Sequence, residues 1–315
     1  MKIVIVDAYT LNPGDLSWDK LSQLGDTELF DRTSPEELVT RCKDADIVLT
    51  NKVAFGADIL NQLPKLKLLC VTATGYNIID IEAAGAKNIS VCNVPDYGTD
   101  SVAQHTFALI LELANRVGVH SRSVQMGEWV NSKDFSYALT PLIELKGKIL
   151  GLVGFGSIGK RTAEIAKAFG MEVWYYTPNK KDTSLAQFKE LEPLFAESDF
   201  ISLHLPLKPE NKEFVNRTLI SKMKKNAFLI NTSRGQLINE PDLAKALNSN
   251  QIAGAALDVL SVEPPTIDNP LLAAANCIFT PHNAWMSKEA RERIMLITYH
   301  NIHSFLDGNV SNKVN

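Results

Sequence analysis

Five short stretches of this 315-residue chain carry residue types that can do chemistry together. The first is Gly154-Phe155-Gly156-Ser157-Ile158-Gly159, directly after the apolar run Lys148–Val153 and before a segment whose Ile158, Ile165, Ala166 and Phe169 recur at helical spacing. A glycine-rich turn between strand and helix suits a pyrophosphate: Gly154 allows the tight turn, Gly156 lets backbone N–H groups approach, Gly159 permits close helix–strand packing, and the helix start favours anionic charge. The same hexad could also be a tight βα turn without a ligand. The other stretches are Asn231-Thr232-Ser233-Arg234-Gly235, Asp258, Glu263-Pro264-Pro265 and Pro281-His282-Asn283-Ala284-Trp285. An arginine can fork onto a carboxylate, and a histidine beside a glutamate can move a proton near neutral pH. Taken singly, each has a bland explanation: a surface Arg, a helix-capping Asp, a loop Glu, a packed His. Each, however, stands at the end of a successive apolar run, where open α/β sheets bind ligands.

The elements that must hold them are β-branched runs alternating with longer amphipathic segments. Lys2–Asp7, Ile47–Thr50, Leu68–Thr72 and Ser90–Asn93 form one series. Lys148–Val153, Glu172–Tyr176, Phe200–Leu205, Ala227–Ile230, Gly254–Val259 and Cys277–Thr280 form a second. Such alternation predicts an α/β fold with parallel sheets, and two series predict two domains. Asp100–Val117 reads as a long helix entering the second domain, with Asp100 or Ser101 able to cap it and Val102, Phe107, Ile110, Leu113 and Ala114 at helical spacing. Ser287–Leu306 is also helical by pattern.

With 45% hydrophobic and 22% charged residues the chain can bury a sizeable core, which argues against disorder. A net charge of −4 provides no positive field for a polyanion, so nucleic acid is not an expected partner. No window approaches the roughly 18 consecutive apolar residues of a membrane span, and Met1 leads into a strand-like run rather than an export segment. A cytoplasmic protein is expected. Its four cysteines, Cys42, Cys70, Cys92 and Cys277, form no CxxC pair, which fits free thiols in a reducing compartment and no metal site. The close pair His300 and His303 lacks further ligands for zinc. Ser157 sits inside the glycine turn with no base to partner it, unlike a hydrolase nucleophile.

The second apolar run of the later series ends at Thr177, where dinucleotide sites selective for NAD place an acidic residue about 20 residues beyond the turn. Thr177-Pro178-Asn179-Lys180-Lys181 offers a hydroxyl, an amide and two cations instead, so NADP(H) acceptance is expected beside NAD(H). Lys180 and Lys181 also read as an ordinary solvated loop.

The chain resembles the D-isomer-specific 2-hydroxyacid dehydrogenases over nearly its whole length, through Val102–His105 (VAQH), Gly154–Gly159, His204–Leu207 (HLPL), Asn231–Gly235, Asp258-Val259, Glu263–Pro265 and Pro281–Trp285. Asp7–Trp18, Thr50-Asn51-Lys52, Ala73–Asp80 and His282–Arg291 resemble the glycerate dehydrogenase or hydroxypyruvate reductase branch. The resemblance implies two Rossmann-like domains: a dinucleotide-binding domain, 100–284, inserted into a discontinuous substrate domain, 1–99 and 285–315, with the C-terminal helix returning to the latter. It also implies a homodimer formed through the dinucleotide domain.

It further implies that His282 is the general acid in the reducing direction, that Glu263 pairs with and orients it, and that Arg234 holds the 2-oxo acid and polarises its carbonyl. Lys52, Thr74, Gly75, Tyr76 and Trp285 would contact substrate, the backbone around Thr74–Tyr76 gripping its carboxylate. Gly154, Gly156, Ser157, Ile158, Gly159, Thr177, Pro206, Thr232, Ser233 and Asp258 would line the cofactor, Asp258 accepting from the nicotinamide carboxamide. Thr177, and Gln104 where Glu is common, depart from the family pattern. The expected reaction is hydride transfer between a nicotinamide cofactor and a small D-2-hydroxy or 2-oxo acid, with hydroxypyruvate and D-glycerate first and D-lactate or glyoxylate as alternatives. A dinucleotide-sensing protein without turnover is the reading from another class, and it would have no need of His282, Glu263 and Arg234.

Overall fold

Isoleucine and valine alternate along the first strand, and the two sets go to opposite faces of one sheet. In the computed structural model, which describes residues 1–315, that sheet belongs to the unit Met1–Tyr97 with Met286–Asn315. Its strands are β1 (Lys2–Ile5), β2 (Asp26–Leu29), β3 (Ile47–Thr50), β4 (Leu68–Val71) and β5 (Ser90–Cys92), all parallel in the order β2-β1-β3-β4-β5. Val4, Val48, Leu69 and Val91 face the helices Pro35–Cys42, Ala57–Leu60 and Ile81–Ala86 through Leu38, Leu60 and Ala84. Ile3, Ile5, Ile47, Leu49, Leu68 and Cys70 face Leu21 and Ile302, the latter on the C-terminal helix Lys288–Leu306. The helix is capped by Ser287, whose side chain accepts from Ala290 N at 3.2 Å. Burial on both faces is why these strands read as unbroken apolar runs. β2 has no such run because it is an exposed edge, and sequence patterning gives it no signal.

The unit Gly98–Trp285 holds β6 (Ile149–Val153), β7 (Glu172–Tyr176), β8 (Gln187–Phe188), β9 (Phe200–Leu203), β10 (Phe228–Asn231), β11 (Gly254–Leu257) and β12 (Cys277–Phe279). The order β12-β11-β10-β9-β6-β7-β8 is parallel throughout and reverses direction of growth at β6, which places a topological switch point at the end of that strand. Leu150, Leu152, Tyr175, Phe200 and Ile230 pack against Phe107, Ile110, Leu113, Ala163 and Ala166 of the helices Thr99–Asn115 and Ser157–Ala168. Val153, Ile201, Leu203, Leu229 and Leu257 pack on the other face against Leu194, Ile220, Leu243 and Leu247. Each such side chain taken from water contributes roughly 1.5–3 kcal/mol. Both units are Rossmann-like α/β layers.

Two local expectations are corrected. The linking helix starts at Thr99 behind Gly98, with no side-chain cap; Ser101 Oγ instead donates to Ala284 O at 2.8 Å and Asp100 accepts from Arg161 Nε at 2.8 Å. The helix stops at Asn115, because Arg116 turns left-handed (φ 53°), and a separate helix Val117–Gln125 follows. At the C-cap of the Ser157–Ala168 helix, Phe169 lies 42% exposed, stacked on Phe107 at 5.4 Å between ring centroids, so it edges the apolar stripe rather than filling it.

Candidate active site

The glycine turn follows β6 at the switch point. Gly154 has φ +101°, and a Cβ there would overlap the backbone carbonyl of His204, so both conformation and space demand glycine. Gly156 precedes the helix as its N-cap, and a Cβ built on it meets nothing within 4 Å. The turn is therefore closed against the protein on the Gly154 side and open on the Gly156 side, where helix N–H groups begin without intrahelical acceptors. Such a cradle fits a dinucleotide pyrophosphate, with Ser157 and Ile158 opening the helix and Gly159 packed inward.

Beyond β7, Thr177 is half-buried at the start of a loop pinned by Tyr175, whose hydroxyl donates to Lys181 O at 2.5 Å and accepts from Lys181 N at 3.0 Å. Lys180 lies over the Phe188 ring at 5.7 Å. Beyond β9, Pro206 is exposed and its carbonyl accepts from Asn211.

Beyond β10, fully buried Asn231 holds the next turn from both ends: its Oδ1 accepts from Ser233 N at 3.0 Å and its Nδ2 donates to Arg234 O at 2.9 Å. Ser233 Oγ donates to Leu203 O, and Thr232 shares a hydroxyl bond with Thr106 at 3.0 Å. The turn presents Arg234, whose guanidinium makes one bond within the chain, Nη1 to Ser233 O at 2.7 Å. Its other N–H groups leave a fork for a carboxylate or carbonyl. Gly235, next to it, touches the backbone of Leu260 so closely that no side chain fits.

Beyond β12, His282 adopts φ +51°, a left-handed conformation uncommon for a side-chain-bearing residue. Its amide donates to Asp258 O at 2.8 Å and Thr280 O at 3.0 Å. The carboxylate of Asp258, 1% exposed, accepts from Thr280 Oγ1 (2.6 Å), Asn283 N (3.0 Å) and Ala284 N (3.1 Å), with His105 Nε2 at 3.6 Å. Asp258 thus clamps the histidine loop. His282 Nδ1 meets Glu263 Oε2 at 2.5 Å, while Glu263 Oε1 accepts from Leu260 N at 3.0 Å. With Nδ1 engaged, Nε2 is the ring nitrogen left to face a substrate, and the bond to Glu263 sets the orientation of the ring. Trp285, closing the same segment, is buried.

In the other unit, Lys52 follows β3 and Thr74–Tyr76 follow β4, at the same ends of neighbouring strands. Buried Asp7, at the end of β1, accepts from the amides of Asn51 (2.9 Å) and Lys52 (2.7 Å). Burial raises its carboxyl above the usual range against the pull of those amides. Asn51 Nδ2 donates to Thr72 O at 2.7 Å, joining the two turns.

A family description, "D-isomer specific 2-hydroxyacid dehydrogenase, NAD binding domain", matches residues 107–284. A hydroxypyruvate reductase from Blautia hydrogenotrophica is 46% identical over 100% of both chains. The chain belongs to the D-isomer-specific 2-hydroxyacid dehydrogenases. A glycerate dehydrogenase from Methylorubrum extorquens is 39% identical over 89% of each chain. Among solved structures, an acyclic imino acid reductase in complex with NADPH and D-Arg superposes with TM-score 0.88 at 33% identity, covering 100% of both chains.

This dehydrogenase is therefore an NAD(P)-dependent oxidoreductase of 2-hydroxy and 2-oxo acids. Its dinucleotide domain carries a half-buried histidine that was quoted from sequence only as part of a motif. His204 follows β9, its Nε2 2.9 Å from Ser202 Oγ. Desolvation pushes its imidazole down from 6.5 to about 4. The folded chain binds that proton less readily than the unfolded one, so acid destabilises the fold as pH falls from about 6.5 and the loss is complete below about 4. Because the residue as a whole is only half-buried, about 3 kcal/mol is a ceiling on the contribution. Urea unfolding at pH 7 and pH 4.5 should show a smaller acid loss in His204→Gln than in the unmodified chain. Equal losses would remove His204 as the cause.

Asp7, Asn51, Asn231 and Thr280 hold the turns of the candidate site and were not named as site residues from sequence. Asp7, Asn51 and Asn231 had a signal only as members of longer motifs, Asn231 as the first residue of the one that carries Arg234. No helix is long and apolar enough to cross a membrane.

Proposed function

We propose that the enzyme reduces hydroxypyruvate to D-glycerate, accepts NADPH as well as NADH, and acts in the cytoplasm as a homodimer. The observation that carries the reaction is the His282–Glu263 pair: His282 stands beyond β12 and Glu263 beyond β11, the strand between β12 and the β10 that leads to the Arg234 turn. His282 Nε2 donates a proton to the carbonyl oxygen of the 2-oxo acid, with Glu263 holding the ring through Nδ1. Arg234 forks onto the substrate and stabilises charge that gathers on the carbonyl oxygen. Lys52, the Thr74-Gly75-Tyr76 backbone and Trp285 complete the substrate contacts. A bound nicotinamide cofactor supplies the hydride. Gly154, Gly156, Ser157, Ile158 and Gly159 hold its pyrophosphate, Thr177 meets the adenosine ribose, and Pro206, Thr232, Ser233 and Asp258 line the remainder.

Hydroxypyruvate is supported by the full-length similarity to the Blautia enzyme, and NADPH by the absence of a carboxylate at Thr177 together with the NADPH-bound relative. The dimer is supported by exposed apolar side chains concentrated between Val117 and Leu142, Val130 being 88% and Phe135 90% exposed. The compartment is supported by four free cysteines, with burial raising the Cys42 and Cys277 thiols to about 12.

The test is a steady-state assay with hydroxypyruvate, glyoxylate and pyruvate, each against NADH and NADPH. Hydroxypyruvate with NADPH at least as efficient as NADH is the expected result, and Thr177→Asp should turn that preference toward NADH by about tenfold or more, since a carboxylate repels the 2′-phosphate. Preference for glyoxylate or pyruvate would reassign the substrate. Dinucleotide binding with no turnover of any 2-oxo acid would favour the sensing role instead.

A further inference from the structure

Two acidic side chains are buried in the Gly98–Trp285 unit: Asp258, already placed in the site, and Glu240, 8% exposed. Glu240 opens the helix Glu240–Asn248 behind Asn239, whose side chain caps it by accepting from Asp242 N. The carboxylate is thus not needed as a cap, and it turns elsewhere. Oε1 accepts from Ser261 N at 2.6 Å, and Oε2 accepts from Asn269 Nδ2 at 2.8 Å. Ser261 and Asn269 are the two ends of the loop that carries Glu263.

That loop has little burial to hold it. From Val262 to Asp268 every residue is exposed, Ile267 at 97%, so the segment buries almost no apolar surface and its place must come from hydrogen bonds at its base. Those bonds include the Glu240 pair, Gln236 Nε2 to Ser261 O at 2.7 Å, and the loop's own Leu260 N to Glu263 Oε1, beside the His282–Glu263 bond itself. One carboxylate accepting at both oxygens suits two donors that converge from opposite ends of a loop. A glutamine cannot replace it, because it presents a donor where one of the two ends presents a donor as well.

Resting on the proposed roles of His282 and Glu263, we propose that Glu240 is a positioning residue for the reaction: it clasps both ends of the Ser261–Asn269 loop and so holds the Glu263 carboxylate against His282. The Glu240→Gln enzyme should lose about 10- to 100-fold in kcat, with KM for the 2-oxo acid and affinity for NADPH, read by fluorescence titration, within about threefold of the unmodified enzyme. If Glu240 acts through Glu263, the loss disappears when Glu263→Gln is already present, whereas a general structural role would add its effect in that background too. Unchanged kcat, or additive losses, would overturn the proposal. Should Glu240→Gln fail to fold, Asn269→Ala severs one end of the clasp alone and is read by the same criteria. If the unmodified chain turns over no 2-oxo acid, the functional reading fails by itself. Hydrogen exchange at the Ser261 amide then decides the clasp: faster exchange in Glu240→Gln upholds it and unchanged exchange rejects it.

Discussion

Replacing His282 with alanine is expected to lower kcat for hydroxypyruvate by about 10²- to 10⁴-fold, the usual contribution of a positioned general acid. Affinity for NADPH should stay within a few-fold, because nothing in the glycine turn depends on the imidazole. The reasoning is geometric. The His282 amide makes two bonds to Asp258 O and Thr280 O, and the Asp258 carboxylate holds Asn283 and Ala284, so the loop backbone keeps its course when the side chain is gone. What disappears is the proposed proton donor, which is also the partner of Glu263. His282→Gln offers a donor of similar reach that cannot release its proton, and it should be nearly as inactive. A kcat within tenfold of the unmodified enzyme in either variant would mean that the proton comes from another group.

Gly235→Ala is the second large effect. A Cβ on Gly235 would lie against the carbonyl carbon and oxygen of Leu260 and the amide of Ser261. All three atoms are backbone, so no rotamer change relieves the overlap and the Arg234 turn must part from the Glu263 loop. Overpacking of this kind costs about 3 kcal/mol or more where the neighbour cannot yield. Displacing Arg234 from His282 by as little as about 1 Å should cut kcat/KM roughly a hundredfold. Gly156→Ala is the matched control, since its Cβ meets nothing within 4 Å: it should unfold at nearly the unmodified urea concentration while weakening dinucleotide binding. If both variants unfold at the same urea concentration, close contact between the Arg234 turn and the Glu263 loop does not limit stability.

Much of this architecture was legible because burial leaves a periodic trace. Strands buried on both faces must be apolar throughout, so ten of the twelve strands declared themselves as runs such as Ile149–Val153 and Ile47–Thr50. β2 and β8 did not, one being an exposed edge and the other two residues long. The cap of the linking helix was misread for a related reason: Asp100 and Ser101 are suitable capping types, but one was drawn to Arg161 and the other to the carbonyl of Ala284, partners far away in the chain.

The amino-acid sequence by itself determined the α/β class, the glycine turn and the family, and it named Arg234, Glu263 and His282 as candidates, because each depends on local spacing or on motifs short enough to read in place. Only the tertiary structure decided what holds those residues still. Asp7 reaches the amides of Asn51 and Lys52 across 44 and 45 positions, Asp258 reaches Asn283 across 25, and Glu240 reaches Ser261 and Asn269 across 21 and 29. A carboxylate in a sequence looks the same whether it meets water or a buried amide. The difference is made by which backbone the fold brings to it, and once water is excluded a buried charge must find such partners.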